Sequence, residues 1–173
     1  TKAQVSAGDT VLVQGAGGGV ASALISLASA AGATVWVTSG SQDKIEYAKT
    51  LGAAEGFAHG ARLPGKVDAV MESVGDATWA HSLRSLRPGG RVVVCGATSG
   101  PNPPADLNRV FFLQLQVLGS TMGTRAEFDD LLAFMERTGV RPHVQFTYGL
   151  DDVAAAIDLM ATGGIQGKLV VTP

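Results

Sequence analysis

The sequence has little cysteine, little charge and few aromatic side chains. Its single cysteine, Cys95, excludes an internal disulfide and favours a reducing, cytoplasmic setting. Charged residues make up 16% of the chain and the formal net charge is -2, so the composition has no basic excess that would attract a polyanion. Nucleic acid is therefore not expected as a partner.

The sequence also lacks a long uninterrupted hydrophobic run. Its longest apolar stretch, residues 20–37, is broken by small residues, namely Ser22, Ser26, Ser29, Gly32 and Thr34. A membrane-spanning helix needs roughly 20 consecutive apolar residues, so no membrane association is expected. The chain starts at Thr1, and Gly8-Asp9-Thr10 leads directly into an apolar segment, which favours its interpretation as a piece of a longer protein.

Patterns of metal ligands and catalytic residues are equally sparse. His59, His81 and His143 fall in different predicted elements, and no pair has the spacing of metal ligands. Neither zinc nor another metal is expected in this segment, and no residue is singled out as a catalytic acid or base. Cys95 is predicted to lie inside a strand as a small buried apolar residue, not as a nucleophile.

Hydrophobic residues and glycine are what the chain has in abundance. Hydrophobic residues make up 46% of the sequence, and many of the 23 glycines follow short apolar runs. The pattern predicts strands over residues 11–14, 34–38, 54–57, 67–72, 91–96 and 117–121, alternating with helices over 20–31, 42–51, 76–86, 107–114 and 126–138. Such alternation predicts an α/β fold, a Rossmann-type doubly wound parallel sheet of about six strands.

A boundary is predicted after Pro142. Residues 1–142 are interpreted as a dinucleotide-binding domain. Residues 143–173 form a C-terminal segment with its own strand, helix and strand, over 144–148, 151–161 and 168–172.

One connection in the predicted sheet is short. Only nine residues separate Phe57 from Val67, and they include Pro64 and two glycines. A crossover helix needs a dozen or more residues. A loop or a single helical turn is therefore expected there, long enough in extended form to cross about three strand spacings.

The glycine-rich turn from Gly15 to Ala21 is the strongest functional signal. It follows a predicted strand and opens a predicted helix, the context in which such glycines bind the pyrophosphate of a dinucleotide. In that frame Gly18 lets the backbone approach the phosphates, and the helix start offers free N–H groups. The predicted ligand-binding residues are Ala16, Gly17, Gly18, Gly19 and Val20. A turn without a ligand is the alternative. A Walker phosphate loop fits the sequence poorly, because no Lys-Ser or Lys-Thr follows the glycines.

The end of the second predicted strand indicates which dinucleotide binds. An NAD enzyme places an acidic residue there to accept a hydrogen bond from the ribose 2′-OH, but this chain has Ser39. Thr38, Ser39 and Ser41 offer hydrogen-bonding groups, and Lys44 offers a positive charge for a 2′-phosphate. NADP(H) is therefore predicted in preference to NAD(H). The alternative for Lys44 is an ordinary solvated helix lysine.

Two further turns are predicted to complete the cleft, because ligands bind at the carboxyl edge of such sheets. These turns follow the fourth and fifth predicted strands, and their candidate residues are Ser73, Val74, Gly75, Gly96, Ala97 and Thr98. Plain turns without a binding role are the alternative for both.

These motifs together resemble the medium-chain dehydrogenase/reductase superfamily, in particular its quinone-reductase-like and zinc-type alcohol-dehydrogenase-like members. The resemblance is carried by Gly8-Asp9-Thr10-Val11, the Gly15–Val20 turn, Lys44 to Ala53, Val67-Asp68-Ala69-Val70, Arg87-Pro88-Gly89-Gly90 and Gly167-Lys168. It implies an N-terminal catalytic domain outside this chain, holding most of the substrate pocket and any zinc ligands. It implies that residues 143–173 return to that domain, and that dimers form through the strand from Val117 to Thr121.

The leading hypothesis is therefore the cofactor-binding domain of an NADP(H)-dependent oxidoreductase. Hydride would pass between the nicotinamide and a carbonyl, quinone or activated alkene, and this segment alone would be inactive. Two alternatives stay open at this point. One is a non-catalytic module that senses the nicotinamide dinucleotide, and the other is a reductase domain within a multi-enzyme chain.

Overall fold

The computed structural model describes every residue from Thr1 to Pro173. The strands are β1 Thr10–Gln14, β2 Thr34–Thr38, β3 Ala53–Phe57, β4 Val67–Glu72, β5 Leu86–Val94, β6 Gln116–Gly119, β7 Val144–Gly149 and β8 Lys168–Thr172. The helices are α1 Gly19–Ala30, α2 Gln42–Thr50, α3 Asp76–Ser85, α4 Leu107–Phe112, α5 Arg125–Thr138 and α6 Val153–Ala161, with a 3-10 turn over Leu150–Asp152.

Strands β1 to β6 form one parallel sheet in the order β3-β2-β1-β4-β5-β6. The chain winds outward from β1 to one edge and then returns to build the other half, so the prediction of a doubly wound sheet of about six strands is confirmed. The carboxyl ends of all six strands therefore meet at one edge. No helix has the length and apolar character that crossing a membrane would require.

Alternate residues of the central strand face opposite layers of the core. Val11 and Val13 pack with Ile25 of α1 and Ala48 of α2 on one face. Leu12 packs on the other face in a cluster that includes Val70, Leu83 of α3 and Val92. Because β1 is covered on both faces, its short run of uninterrupted apolar residues is the pattern of a buried parallel strand.

The connection from β3 to β4 contains no helix, as predicted. It crosses β2 and β1 within residues 58–66. Leu63 of this loop and the large ring of Trp36 pack against the second core cluster, and Trp36 also meets Phe57 edge-on with ring centroids 5.7 Å apart. Trp36 and Leu63 thus contribute apolar cover on this face of the sheet.

Both ends of β5 differ from the predicted strand over residues 91–96, whereas every other element lies within two residues of its predicted bounds. β5 begins at Leu86, not at residue 91, because Leu86 pairs with Val67 before the Pro88-Gly89-Gly90 segment. It ends at Val94, so Cys95 lies beyond the strand and is exposed. The prediction that Cys95 is a buried strand residue is wrong.

The C-terminal segment forms a sheet of its own. β7 and β8 pair in parallel and do not join the six-stranded sheet. The segment nevertheless contacts the larger sheet's layers, because Tyr47 of α2 packs against the His143 ring with centroids 5.0 Å apart.

Candidate dinucleotide-binding site

The glycine-rich turn joins the carboxyl end of β1 to the start of α1. Gly15 has φ +91°, a conformation that favours glycine, and Gly18 is the N-cap of α1 with φ -73°. The first main-chain hydrogen bond of the helix runs from the Ser22 N–H to the Gly18 carbonyl. The N–H groups of Gly19 and Val20 therefore have no partner inside the helix and can donate to an anion.

The space above the turn is open where a ligand would approach. A Cβ built on Gly18 has no atom within 4 Å, and Val20 is half exposed. Ala16 and Gly17, by contrast, are buried on the inner side of the turn. This arrangement fits a pyrophosphate lying on the outer side of Gly18 and Gly19.

The end of β2 presents hydroxyl groups next to the turn. The Ser39 hydroxyl accepts a hydrogen bond from the Ser41 N–H at 3.1 Å, and the Ser41 hydroxyl accepts one from the Lys44 N–H at 3.4 Å as the cap of α2. Neither hydroxyl donates its own proton within the chain, so both remain donors for a ligand. Thr38 differs: it is fully buried and donates to Gln14 at 2.6 Å. The structure therefore places Thr38 beneath the site and not on its surface.

Lys44 reaches from α2 across the glycine-rich turn. A Cβ built on Gly17 would lie 2.9 Å from its Cδ, and its Nζ donates to the Gly163 carbonyl at 2.9 Å. The ammonium has two further protons to donate. Lys44 therefore stands over the turn, and the interpretation as a lysine with no role beyond its helix does not describe its contacts.

The turns that follow β4 and β5 lie against each other. The Thr98 N–H donates to the Ser73 carbonyl at 3.3 Å, and the Ser99 N–H donates to the Val74 carbonyl at 2.7 Å. Gly75 has φ +92°, and a Cβ there would lie 3.1 Å from the Cα of Ala97. The candidates Ser73, Val74, Gly75, Ala97, Thr98 and Gly96 are thus brought together, on the other side of β1 from the β2 candidates.

Cys95 lies between these turns. Its Sγ donates to the Glu72 carbonyl at 3.6 Å, and its N–H donates to the same oxygen at 2.9 Å. Partial burial of the sulfur and the negative charge of Glu72 raise the pKa of the Cys95 thiol. A thiol whose pKa is raised is a weak nucleophile, so Cys95 is not a catalytic candidate although it is exposed.

Sequence reasoning missed the loop between α6 and β8. The Gly167 N–H donates to the Gly17 carbonyl at 2.9 Å, and the Lys168 side chain lies over Gly19, where a Cβ would be 2.7 Å from its Nζ. The loop and the glycine-rich turn line one surface cleft of about 450 Å³. The density of glycine at 163, 164 and 167 is the signal that could have revealed this close approach.

A buried polar network was also missed. Gln14, Glu72, Thr78 and Ser82 are at most 3% exposed and are hydrogen-bonded to one another beneath the carboxyl edge of the sheet. Its signal in the sequence is modest: Gln14 and Glu72 are polar residues that end otherwise apolar strands.

Comparison with known proteins identifies the family. The sequence profile of the zinc-binding dehydrogenase family matches residues 19–137. The chain belongs to this family. It is the cofactor-binding domain of the medium-chain dehydrogenase/reductase superfamily, as the sequence motifs indicated.

Individual relatives agree with that assignment. The chain is 31% identical to the zinc-type alcohol dehydrogenase-like protein YogA of Leptosphaeria maculans, over 95% of this chain and 51% of that protein. It is 29% identical to the acryloyl-coenzyme A reductase of Sulfurisphaera tokodaii, over 96% and 51%. The solved structure of an NAD-dependent alcohol dehydrogenase superposes with a TM-score of 0.88 at 32% identity, over 99% and 53%. The chain thus spans about half the length of these relatives.

The family's name raises the question of zinc. No group of three or more His, Cys, Asp or Glu side chains converges anywhere in the chain. Structural zinc sites need four such ligands and catalytic sites three. The residues present therefore do not fit a zinc ion.

Proposed function

We propose that this chain is the NADP(H)-binding domain of an oxidoreductase that transfers hydride to or from a carbonyl, quinone or activated alkene. The nicotinamide supplies the hydride chemistry when it is bound. The residues of this chain bind the dinucleotide, orient it along the carboxyl edge of the sheet and support its nicotinamide end.

The observation that carries the proposal is the start of α1. It combines unpaired N–H groups at Gly19 and Val20 with open space over Gly18. Lys44 and Lys168 lie over the same turn. A helix start with free donors and nearby cations suits a pyrophosphate.

The preference for NADP(H) follows from the end of β2. Two hydroxyls, those of Ser39 and Ser41, retain protons to donate, and the Lys44 ammonium lies beside the turn. No carboxylate occupies the position after Thr38, where one would bind a ribose 2′-OH and repel a 2′-phosphate.

We propose a broad substrate class, because the chain spans about half the length of its relatives. An acryloyl-coenzyme A reductase and an alcohol dehydrogenase-like protein among them support an activated alkene or a carbonyl. We propose that a catalytic domain outside these residues forms most of the substrate pocket. Phe111 and Phe112, which are 59% and 76% exposed, would pack against it.

Calorimetric titration of this chain with NADPH and with NADH tests the proposal. We expect NADPH to bind and NADH to bind about tenfold more weakly or worse, which corresponds to one charge-assisted contact with the 2′-phosphate. Tighter binding of NADH would contradict the cofactor preference. Absence of binding by both dinucleotides would contradict the assigned function of the turn.

A further inference from the structure

We infer that Glu72 is a positioning residue for the nicotinamide half of the dinucleotide, and that a chain of hydrogen bonds from Thr38 holds it in place. Glu72 ends β4 and touches no part of the cleft surface, since it is 0% exposed. The inference rests on the proposed function of the turn. It adds a role for residues that the cofactor would not contact.

The hydrogen bonds run in one direction from the end of β2 through the end of β1 and α3 to the end of β4. The Thr38 hydroxyl donates to Gln14 Oε1 at 2.6 Å, and Gln14 Nε2 donates to the Ser82 hydroxyl at 2.9 Å. The Ser82 hydroxyl in turn donates to Glu72 Oε2 at 2.5 Å. In this series of hydrogen bonds each hydroxyl proton has one acceptor, so the orientation of the Gln14 amide is fixed by Thr38 and Ser82.

His81 reinforces that orientation. Gln14 Nε2 lies 3.0 Å from Nδ1 of His81, and Nε2 of His81 lies 2.8 Å from the Ala61 carbonyl. Because the Gln14 nitrogen is a donor, Nδ1 accepts from it and Nε2 carries the proton that the carbonyl accepts. The end of β1 is therefore fixed both to α3 and to the loop between β3 and β4.

The second carboxylate oxygen of Glu72, Oε1, holds the turn after β4. Its Oε1 accepts from the Val74 N–H at 2.8 Å and from the Gly75 N–H at 3.1 Å. The Thr78 hydroxyl donates to the same carboxylate at 2.8 Å. Three donors on one carboxylate oxygen therefore hold the turn to the end of β4.

The turn after β4 can contact a ligand through its side chains but not through two of its amides. Its two amides at Val74 and Gly75 point inward to Glu72, so they cannot bind the dinucleotide. The half-buried Val74 side chain and the adjoining Ser73 remain available at the cleft. Glu72 thereby sets the position of the surface that supports the nicotinamide. The adenosine half rests on the end of β1, which pairs with β4, and on the end of β2, which lies on the far side of β1.

The test compares Glu72→Gln with the unchanged chain for two ligands, NADPH and 2′,5′-ADP, which lacks the nicotinamide half. Glutamine has nearly the same shape as glutamate but replaces one acceptor oxygen with an NH2 donor. It therefore cannot accept from all four groups that donate to Glu72. We expect NADPH affinity to fall by about tenfold while 2′,5′-ADP affinity stays within about twofold. An unchanged ratio of the two affinities would overturn the inference.

Asp68→Asn provides the matched control. Asp68 is the second residue of the same strand, also accepts a main-chain N–H and lies near the amino ends of the strands, away from the cleft. Its replacement should lower stability without altering the ratio of the two affinities. If Glu72→Gln does not fold, Thr78→Val removes a single hydroxyl from the same carboxylate and should shift the ratio in the same direction.

The inference and the proposed function fail in distinguishable ways. If the unchanged chain binds neither NADPH nor 2′,5′-ADP, the proposed function is wrong, and the inference falls with it. If the unchanged chain binds both and neither variant alters their ratio, the proposed function stands and only the role of Glu72 is refuted.

Discussion

At Gly18 we expect glycine to be needed for ligand binding and not for folding. Its φ of -73° suits any residue and a Cβ there meets nothing within 4 Å, so the folded chain does not require glycine at this position. A requirement for glycine would come from the ligand alone, because a Cβ would project toward the pyrophosphate.

Gly18→Ala should therefore leave the chain folded and weaken NADPH binding by at least about tenfold. Gly149→Ala is the matched control: Gly149 has φ -76° and no atom within 4 Å of its Cβ position. Both variants should keep nearly the stability of the unchanged chain. Alanine restricts the unfolded chain, which stabilises the fold by about 0.4–1 kcal/mol, but it is a poorer N-cap than glycine at both positions. Equal NADPH affinity in the two variants would refute the placement of the pyrophosphate.

Lys44 is the residue on which the NADP(H) preference depends most. Lys44→Ala should weaken NADPH binding by about 10- to 100-fold, as expected for loss of a charged hydrogen bond, and change NADH binding far less. Lys49→Ala is the control, because Lys49 lies on the same helix and pairs only with Glu46. Calorimetry would measure all four affinities. Equal losses for NADPH and NADH would assign Lys44 to a part of the cofactor that both dinucleotides share.

At the level of elements, Asp68 fixes the start of β4 to that of β1. Its carboxylate accepts the Thr10 N–H at 2.8 Å and pairs with Arg87. Partial burial raises the pKa of Asp68, but these hydrogen bonds and the charges of Arg87 and Arg91 outweigh it, so the pKa is lowered overall. A carboxyl whose pKa is lower in the folded state adds stability above its ordinary pKa and loses it as the pH falls.

Asp68→Asn should accordingly lower the free energy of unfolding by about 1–3 kcal/mol near neutral pH. The difference from the unchanged chain should persist above the ordinary carboxyl pKa of 3.8 and shrink as the pH falls below it. Urea unfolding at several pH values measures this. A difference that stayed constant down to pH 2 would show that the asparagine acts through packing and not through charge.

Local patterns predicted most elements, and long-range contacts account for the exceptions. β2, β4 and β8 have the predicted bounds because β-branched and apolar residues end at clear breaks. The start of β5 could not be read from Pro88-Gly89-Gly90, which looks like a turn. Its pairing with β4 extends the strand across those residues, and a sequence does not reveal such pairing.

In the candidate site, too, the local features were predictable and the long-range contacts were not. The glycine-rich turn is contiguous in sequence, so its spacing was readable. The Gln14–Ser82 bond joins residues 68 positions apart, and the Lys44–Gly163 bond joins residues 119 apart. Contacts between residues so far apart in sequence form only when the sheet has assembled. The role of Glu72 and the approach of the C-terminal loop were therefore not predicted from the sequence.

At the scale of the whole molecule, the exposed apolar residues are unevenly distributed. Of the large hydrophobic residues that are exposed, Val20 alone lies before residue 107. The others follow it, among them Leu107, Phe111, Phe112, Met122, Phe128, Phe146, Ile157 and Met160. Apolar surface that is concentrated in this way marks contact regions, and it agrees with the proposed catalytic domain.

The sheet also has a free edge at β6. This strand pairs only with β5, and Val117 is 48% exposed. We propose that two copies pair along this edge, which would satisfy its unpaired main-chain groups. Val117→Lys should convert a dimer into a monomer in sedimentation experiments while leaving NADPH affinity unchanged. A monomeric unchanged chain at tens of micromolar would contradict the proposal.

The helix-free connection over residues 58–66 has a consequence for how the fold opens. α1 and α2 cover one face of the β2–β3 region, but Trp36 and Leu63 are the main apolar cover on the other. β3 also carries exposed residues and lies at the sheet edge. Its amides should therefore exchange with deuterium earlier than those of β1 and β4, through local opening that leaves the rest intact. This local opening would loosen the flank of the sheet next to Ser39, so a bound dinucleotide should slow that exchange.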